Sequence, residues 1–263
     1  MFNYFIYTIL KAISRFLLKR FVNKQDESVF ISQLPVTDAT LALEALEKEV
    51  NHFILHVIEY SLNSFSINES INTHLPNHKN FSKKTVTEKY NYIKQLHGEM
   101  HGFCLKLQHN TTDKTESERI EQLISSIRNG MYAAKNIRDA QSDIAQMINS
   151  SNDVKYNFYQ QAASRIIRFY QYIFTLLNKQ KATTNLNDLS LAYNEVIQGY
   201  SKTLQSLYKE PLIHKINEIE ISTLINFNRE IYTSYKSILF SLKDYLLTHK
   251  EAEYFDGLPG FIR

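Results

Sequence analysis

Four histidines of the sequence form two pairs whose members stand four residues apart. His52 and His56 make up one pair, and His97 and His101 make up the other. On a helix this spacing places both imidazoles of a pair on one face, where they can chelate a metal ion. Glu49 lies three residues before His52 and gives the Glu-x-x-His arrangement of carboxylate-bridged di-metal bundles.

The second histidine pair does not complete such a site. Glu99 stands two residues from both His97 and His101, so on a helix it points elsewhere. Two interpretations stay open: a metal-binding helical-bundle enzyme that uses both pairs, and polar side chains satisfied at helix contacts. The sequence has no Gly-rich phosphate loop, no Ser-His-Asp order and no nucleophile with an evident base. We therefore predict a non-enzymatic protein without catalytic, cofactor-binding or metal-binding residues.

A second candidate group lies on residues 114–148, which the apolar spacing predicts as one long helix. Thr115 and Glu118 resemble a capping box that would begin it. Its apolar stripe has spacings of three and four and consists of Ile120, Ile124, Ile127, Met131 and Ala134. A polar stripe with the same spacing lies on another face and consists of Arg128, Tyr132, Lys135 and Asp139. It is either a solvated face or a partner interface, and we predict Arg128, Lys135 and Asp139 as interface residues.

The composition predicts an all-α protein. The 263 residues include six Gly and four Pro, and no Pro occurs between Pro76 and Pro211, so long helices are allowed. Cys104 is the single cysteine, which excludes an intramolecular disulfide and a Cys-based zinc site. Five of the 30 basic and none of the 27 acidic residues fall in the first 24 positions, so the remainder is weakly acidic. This argues against nucleic acid as the main partner.

Apolar stripes with alternating spacings of three and four predict six helices in two sets of three. The first should begin after Thr37 or Asp38, and the fifth should bury the stripe Leu189, Tyr193, Val196, Tyr200, Leu204 and Leu207. We predict tandem three-helix bundles over residues 38–150 and 151–250. A polar linker over residues 25–37 should precede them, and an irregular tail over residues 251–263 should follow.

Residues 1–24 predict an amphipathic, membrane-proximal helix. The uncharged run covers the first ten residues, half of the ~20 that a bilayer-spanning helix needs. Basic side chains then follow at intervals of about four, and we predict that they bind an anionic membrane surface: Lys11, Arg15, Lys19 and Arg20. There are two alternatives. This helix packs on the protein's own body, or it is a short membrane span that needs a partner.

Three stretches of the chain carry a resemblance to one family. The segment ISQLPVTDATLALEALEKEV, residues 31–50, places a Pro-containing linker before an ALE-type helix start. The other two are TESERIEQLISSIRNGMYAAKNIRDAQSDI, residues 115–144, and the apolar-to-basic run behind Phe2 and Asn3. All three stretches resemble parts of bacterial sodium/phosphate cotransporters, which end in a cytosolic PhoU-like domain. In the order given, they resemble the segment that enters this domain, the third helix of its first repeat and the end of the last transmembrane segment.

The resemblance implies a PhoU-like six-helix array of two three-helix repeats. Many members of that family hold metal clusters with a Glu-or-Asp-x-x-x-Asp motif on the third helix of each repeat. Here Asp139 stands at the Asp position, but Lys135 replaces the acidic residue four positions earlier. We therefore expect no such cluster, and a Lys135–Asp139 ion pair is the simpler account of these residues.

The implied function is a non-enzymatic regulatory or accessory module of phosphate uptake. It would dock on a membrane transporter or sensor protein at the cytoplasmic face of the inner membrane, and a homodimer is compatible with this role. The alternatives are the metal-binding enzyme using His52/His56 and His97/His101, or a membrane-associated helical scaffold unrelated to phosphate.

We expect the full chain to sediment with anionic liposomes through residues 1–24. Apolar burial contributes about 25 cal/mol per Å², and each basic residue near an anionic leaflet adds about 1 kcal/mol. Added salt should weaken the basic contribution, and a chain that starts at Gln25 should stay folded in the supernatant. If the full chain ignores vesicles at low salt while the shortened chain unfolds, the helix belongs to the protein body.

Overall fold

Helices form every regular element that the structure describes. The computed structural model describes residues 28–32, 34–67, 78–111, 113–178, 186–209 and 216–257, and within these ranges the all-α prediction is confirmed. Its helices are α1 (Ala39–Ser64), α2 (His78–Ser82), α3 (Val86–Asn110), α4 (Lys114–Asp139), α5 (Gln141–Ile148), α6 (Asp153–Asn178), α7 (Leu186–Leu207), α8 (Glu218–Leu246) and α9 (His249–Asp256). None of them is both long and apolar enough to cross a bilayer.

Side-chain caps set the starts of two helices that matter below. The carboxylate of Asp38 accepts a hydrogen bond from the backbone N–H of Leu41 at 3.0 Å and begins α1, as predicted. Helix α4 begins after Asp113, whose carboxylate accepts from the backbone N–H of Glu116 at 2.9 Å. The predicted cap at Thr115 is therefore wrong, because a carboxylate two residues earlier takes that role.

The predicted single helix over residues 114–148 is two helices. It breaks at Ala140, between α4 and α5, at a point without Gly or Pro. The break redirects the chain so that Ile144 and Met147 of α5 are buried, and α5 packs beside α6. Tertiary packing therefore ends α4, where the local sequence would have continued it.

The predicted irregular tail from residue 251 is also wrong as far as the structure describes it. Thr248 and Glu251 form a capping box that begins α9, and Phe255 of this helix is fully buried. Lys243 of α8 holds the end of α9 through Asp256 at 2.7 Å. The short helix forms because the core supplies a site for its apolar face.

Helix α4 lies at the centre of the packing. Helices α1, α3 and α4 pack on one another, and α8 runs antiparallel along α4 in the most extensive helix contact of the described residues. Helix α7 packs on α8. Helix α6 meets α8 through large aromatic side chains, with ring centroids 6.0 Å apart for Phe158–Phe227 and 4.2 Å apart for Phe169–Tyr235.

Small residues form the seam between α4 and α8. The hydroxyl of Ser126 donates to the backbone oxygen of Ser241 at 2.8 Å, and the hydroxyl of Ser241 donates back to the backbone oxygen of Ser126 at 2.8 Å. About two helical turns away, Ser234 donates to the backbone oxygen of Ala133 at 3.0 Å. Gly130 lies between these contacts, where an added Cβ would stand 3.4 Å from the hydroxyl oxygen of Ser241 and 2.6 Å from the ring of buried Phe53 of α1. The absence of large side chains thus allows the two backbones to approach closely.

The predicted inward stripe of α7 is correct in part. Leu189, Tyr193, Val196 and Leu207 are buried, but Tyr200 and Leu204 are half-buried. Thr203 takes the buried position between them. The ring of Tyr200 instead stacks on Tyr232 of α8, with centroids 4.5 Å apart.

We expect Gly130→Ala to destabilise the protein although Ala is the better helix former. The new methyl group would meet a Phe53 ring that has no room to move, and overpacking of this kind costs about 1–3 kcal/mol. Gly199→Ala is the matched control, because no described atom beyond its chain neighbours and its own helix backbone lies within 4 Å of a Cβ placed there. It should raise the free energy of unfolding by up to about 1 kcal/mol. Urea denaturation measures the free energy of unfolding of both variants, and equal effects would disprove the close packing of Gly130 against Phe53 of α1.

Candidate functional site

The polar stripe predicted on the central helix lies at the surface. Arg128, Tyr132, Lys135 and Asp139 of α4 are all exposed, and Tyr132 keeps 50% of its surface accessible. We call these four residues the α4 face. Other sides of α4 pack on α1, α3 and α8, so the face presents charged groups and an aromatic ring on a well-supported helix.

The expected Lys135–Asp139 ion pair does not form. Asp139 accepts instead from its neighbour Arg138, whose Nη2 lies 2.7 Å from Oδ1. The Arg138 guanidinium also lies 4.9 Å from the ring centroid of Tyr90 and donates to its hydroxyl at 3.2 Å. The hydrogen bond to Asp139 raises the pKa of Arg138 above its ordinary value. Packing against Tyr90 of α3 places the Arg138 guanidinium beside the carboxylate.

The first histidine pair belongs to a buried chain of hydrogen bonds. Nδ1 of His52 lies 2.9 Å from Oε1 of Glu49, and Nε2 of His52 lies 2.9 Å from Nε2 of His56. The other carboxylate oxygen of Glu49 accepts from the backbone N–H of Phe30 at 2.6 Å. The ring of His56 stacks on Phe81 with centroids 4.0 Å apart. Glu49, His52 and His56 are each at most 1% exposed, so this chain lies inside the core.

The second histidine pair lies nearer the surface. His101 is exposed and His97 is half-buried, and their rings lie 6.3 Å apart between centroids. Burial, followed by the neighbouring His101, lowers the pKa of His97. Among the described residues no three His, Cys, Asp or Glu side chains are placed to hold one metal ion, so the two pairs do not form a joint site.

The membrane-binding prediction falls on a part of the chain that is not described. Lys11, Arg15, Lys19 and Arg20 all lie outside the described residues, and their role stays a prediction.

A cavity that the sequence did not reveal lies between α6, α7 and α8. It has a volume of about 280 Å³, and Arg165 and Arg168 of α6 line it together with several aromatic rings. The sequence signal was present but weak. Two arginines three residues apart belong to a helix whose inward positions are apolar, and Gly199 stands opposite in the middle of α7. These residues indicate a cavity only when the packing shows that these faces of α6 and α7 lie opposite each other.

We expect His52→Ala to lower the free energy of unfolding by about 3 kcal/mol or more. The change leaves Glu49 buried without its histidine partner and opens a void in the core. His101→Ala, at an exposed position, should change stability by about 0.5 kcal/mol or less. Thermal and urea unfolding measure the stability of both variants. A wild-type stability of the His52 variant would show that the hydrogen-bonded chain is not formed.

In comparisons with known proteins, no family model, no curated protein and no solved structure matches the chain. The residues and their geometry therefore supply the basis for any functional proposal.

Proposed function

We propose that this protein is a non-enzymatic, PhoU-like accessory or regulatory module of phosphate uptake. It docks on a membrane transporter or sensor protein at the cytoplasmic face of the inner membrane. Docking takes place through the α4 face, and residues 1–24 bind the anionic membrane surface beside the partner.

One observation carries the docking part of the proposal. Helix α4 is held on its other sides by α1, α3 and α8, but it exposes Arg128, Tyr132 and Lys135 together. Arg and Tyr are enriched at protein interfaces, because both bring large contact areas and polar ends. A rigid support also lowers the entropy that such side chains lose on binding.

The link to phosphate uptake is supported by the sequence resemblance and by the helix order. Helices α1, α3 and α4 pack on one another. Helices α6, α7 and α8 follow in the same order and enclose one cavity. We propose that these sets are two three-helix repeats joined along α4 and α8, as the resemblance implies.

Phosphate uptake by intact cells tests the function. Cells that lack the chain should show altered uptake of labelled phosphate, and the wild-type chain should restore it. The double variant Arg128→Glu, Lys135→Glu should fail to restore uptake at equal abundance, because charge reversal opposes a complementary partner surface. Its unfolding midpoint should stay near the wild-type value, since both side chains are exposed.

Lys202→Glu is the matched control on an exposed position of α7, and it should restore uptake fully. Unchanged phosphate uptake without the chain would remove the link to phosphate. Restoration by the double variant would show instead that the α4 face is a solvated surface.

A further inference from the structure

The cavity between α6, α7 and α8 combines an apolar interior with two arginine side chains. Its volume of about 280 Å³ is near the lower end of small-molecule sites, which span about 300–1,000 Å³. Its wall is mainly aromatic and includes Phe169, Tyr172, Tyr200, Phe227, Tyr232 and Tyr235. Such a wall favours a flat apolar occupant, which stacks on rings face-offset or edge-on.

Two arginines line the cavity without an acidic partner. Among the described residues, neither Arg165 nor Arg168 forms an ion pair or a hydrogen bond with a carboxylate. Arg165 is half-buried, and burial, with Arg168 nearby, lowers the pKa of its guanidinium. Arg168 is exposed to water, but the guanidinium of Arg165 beside it is partly desolvated, and a bound anion would compensate that cost.

The same arginines also lie at the protein surface. They also line a shallow surface depression with Gln160, Gln161 and Ser164 of α6. A ligand that enters from this side would keep its anionic group at the arginines and place its apolar part inside.

Glycine at position 199 keeps the space open. Gly199 lies in the middle of α7 and lines the cavity, and no described atom beyond its chain neighbours and its own helix backbone lies within 4 Å of a Cβ placed there. Close packing therefore does not require Gly there, although Gly destabilises a helix relative to Ala. The missing side chain leaves room for an occupant.

We propose that this cavity binds a small aromatic monocarboxylate. The carboxylate is held by Arg165 and Arg168, and the ring fills the space beside Gly199. One acidic residue, the exposed Glu195, also lines the cavity. The two arginines and this glutamate leave one net positive charge, which suits a monoanion better than a dianion. This inference is independent of docking through the α4 face.

Isothermal titration of the full chain with 3-phenylpropionate tests the proposal. The neutral 3-phenylpropan-1-ol and the bare carboxylate acetate are the matched probes, and both should bind at least about tenfold more weakly. That ratio corresponds to the loss of one charge-assisted hydrogen bond or of the ring's burial. Equal affinity for the alcohol, or no binding of 3-phenylpropionate, would overturn the proposal.

Variants locate the site. Arg168→Gln, at an exposed position, and Arg165→Gln should each raise the Kd about tenfold. Gly199→Leu should abolish binding by filling the cavity, while circular dichroism shows an intact helical fold. Arg229→Gln is the control, because Arg229 is an exposed arginine of α8 that does not line the cavity. Wild-type affinity in Arg168→Gln and Gly199→Leu would place any bound carboxylate elsewhere and refute the assignment.

Discussion

The close approach of α4 and α8 is the contact on which the other helices depend. Ser126 and Ser241 exchange hydrogen bonds with each other's backbone oxygens across this seam. Each hydroxyl is therefore satisfied inside the core without a larger side chain that would separate the helices. Arg119 of α4 extends the seam by donating to the backbone oxygens of Asp244 and Tyr245 at 2.9 and 2.8 Å. Because α1 and α3 pack on α4, and α7 and α9 pack on α8, this contact joins both sets of helices.

The helices around α4 and the helices around α8 are held together by different kinds of contact. Around α4, small residues bring backbones together, and polar groups are matched inside the core, as in the pair of buried Lys89 with Glu59 at 3.6 Å. Between α6 and α8, aromatic rings meet instead and keep the backbones apart. Rings of fixed shape cannot fill all of the wider space, and Gly199 contributes no side chain to it. The cavity is thus a consequence of how α6 is held away from α8.

The buried histidines show how one sequence pattern can serve two roles. A spacing of four residues suits metal chelation, and it equally suits a hydrogen bond between two imidazoles on successive turns. In this protein, Glu49 and the backbone N–H of Phe30 extend the bond between His52 and His56 into a chain. Neither the spacing nor the residue types distinguish these roles, because the distinction lies in which groups the folded chain places beside each ring.

The sequence by itself determined the helical class, the burial of Leu189, Tyr193, Val196 and Leu207 on α7, and the exposure of Arg128, Lys135 and Asp139. These features follow from apolar periodicity and from the scarcity of Gly and Pro, which act within a few turns of one helix. Tertiary structure decided the break at Ala140, the formation of α9, the pairing of Asp139 with Arg138 and the cavity at Arg165. Each of these depends on side chains from distant parts of the chain. Local spacing shows which residues share a face, but the face that packs against them is set by the assembled helices.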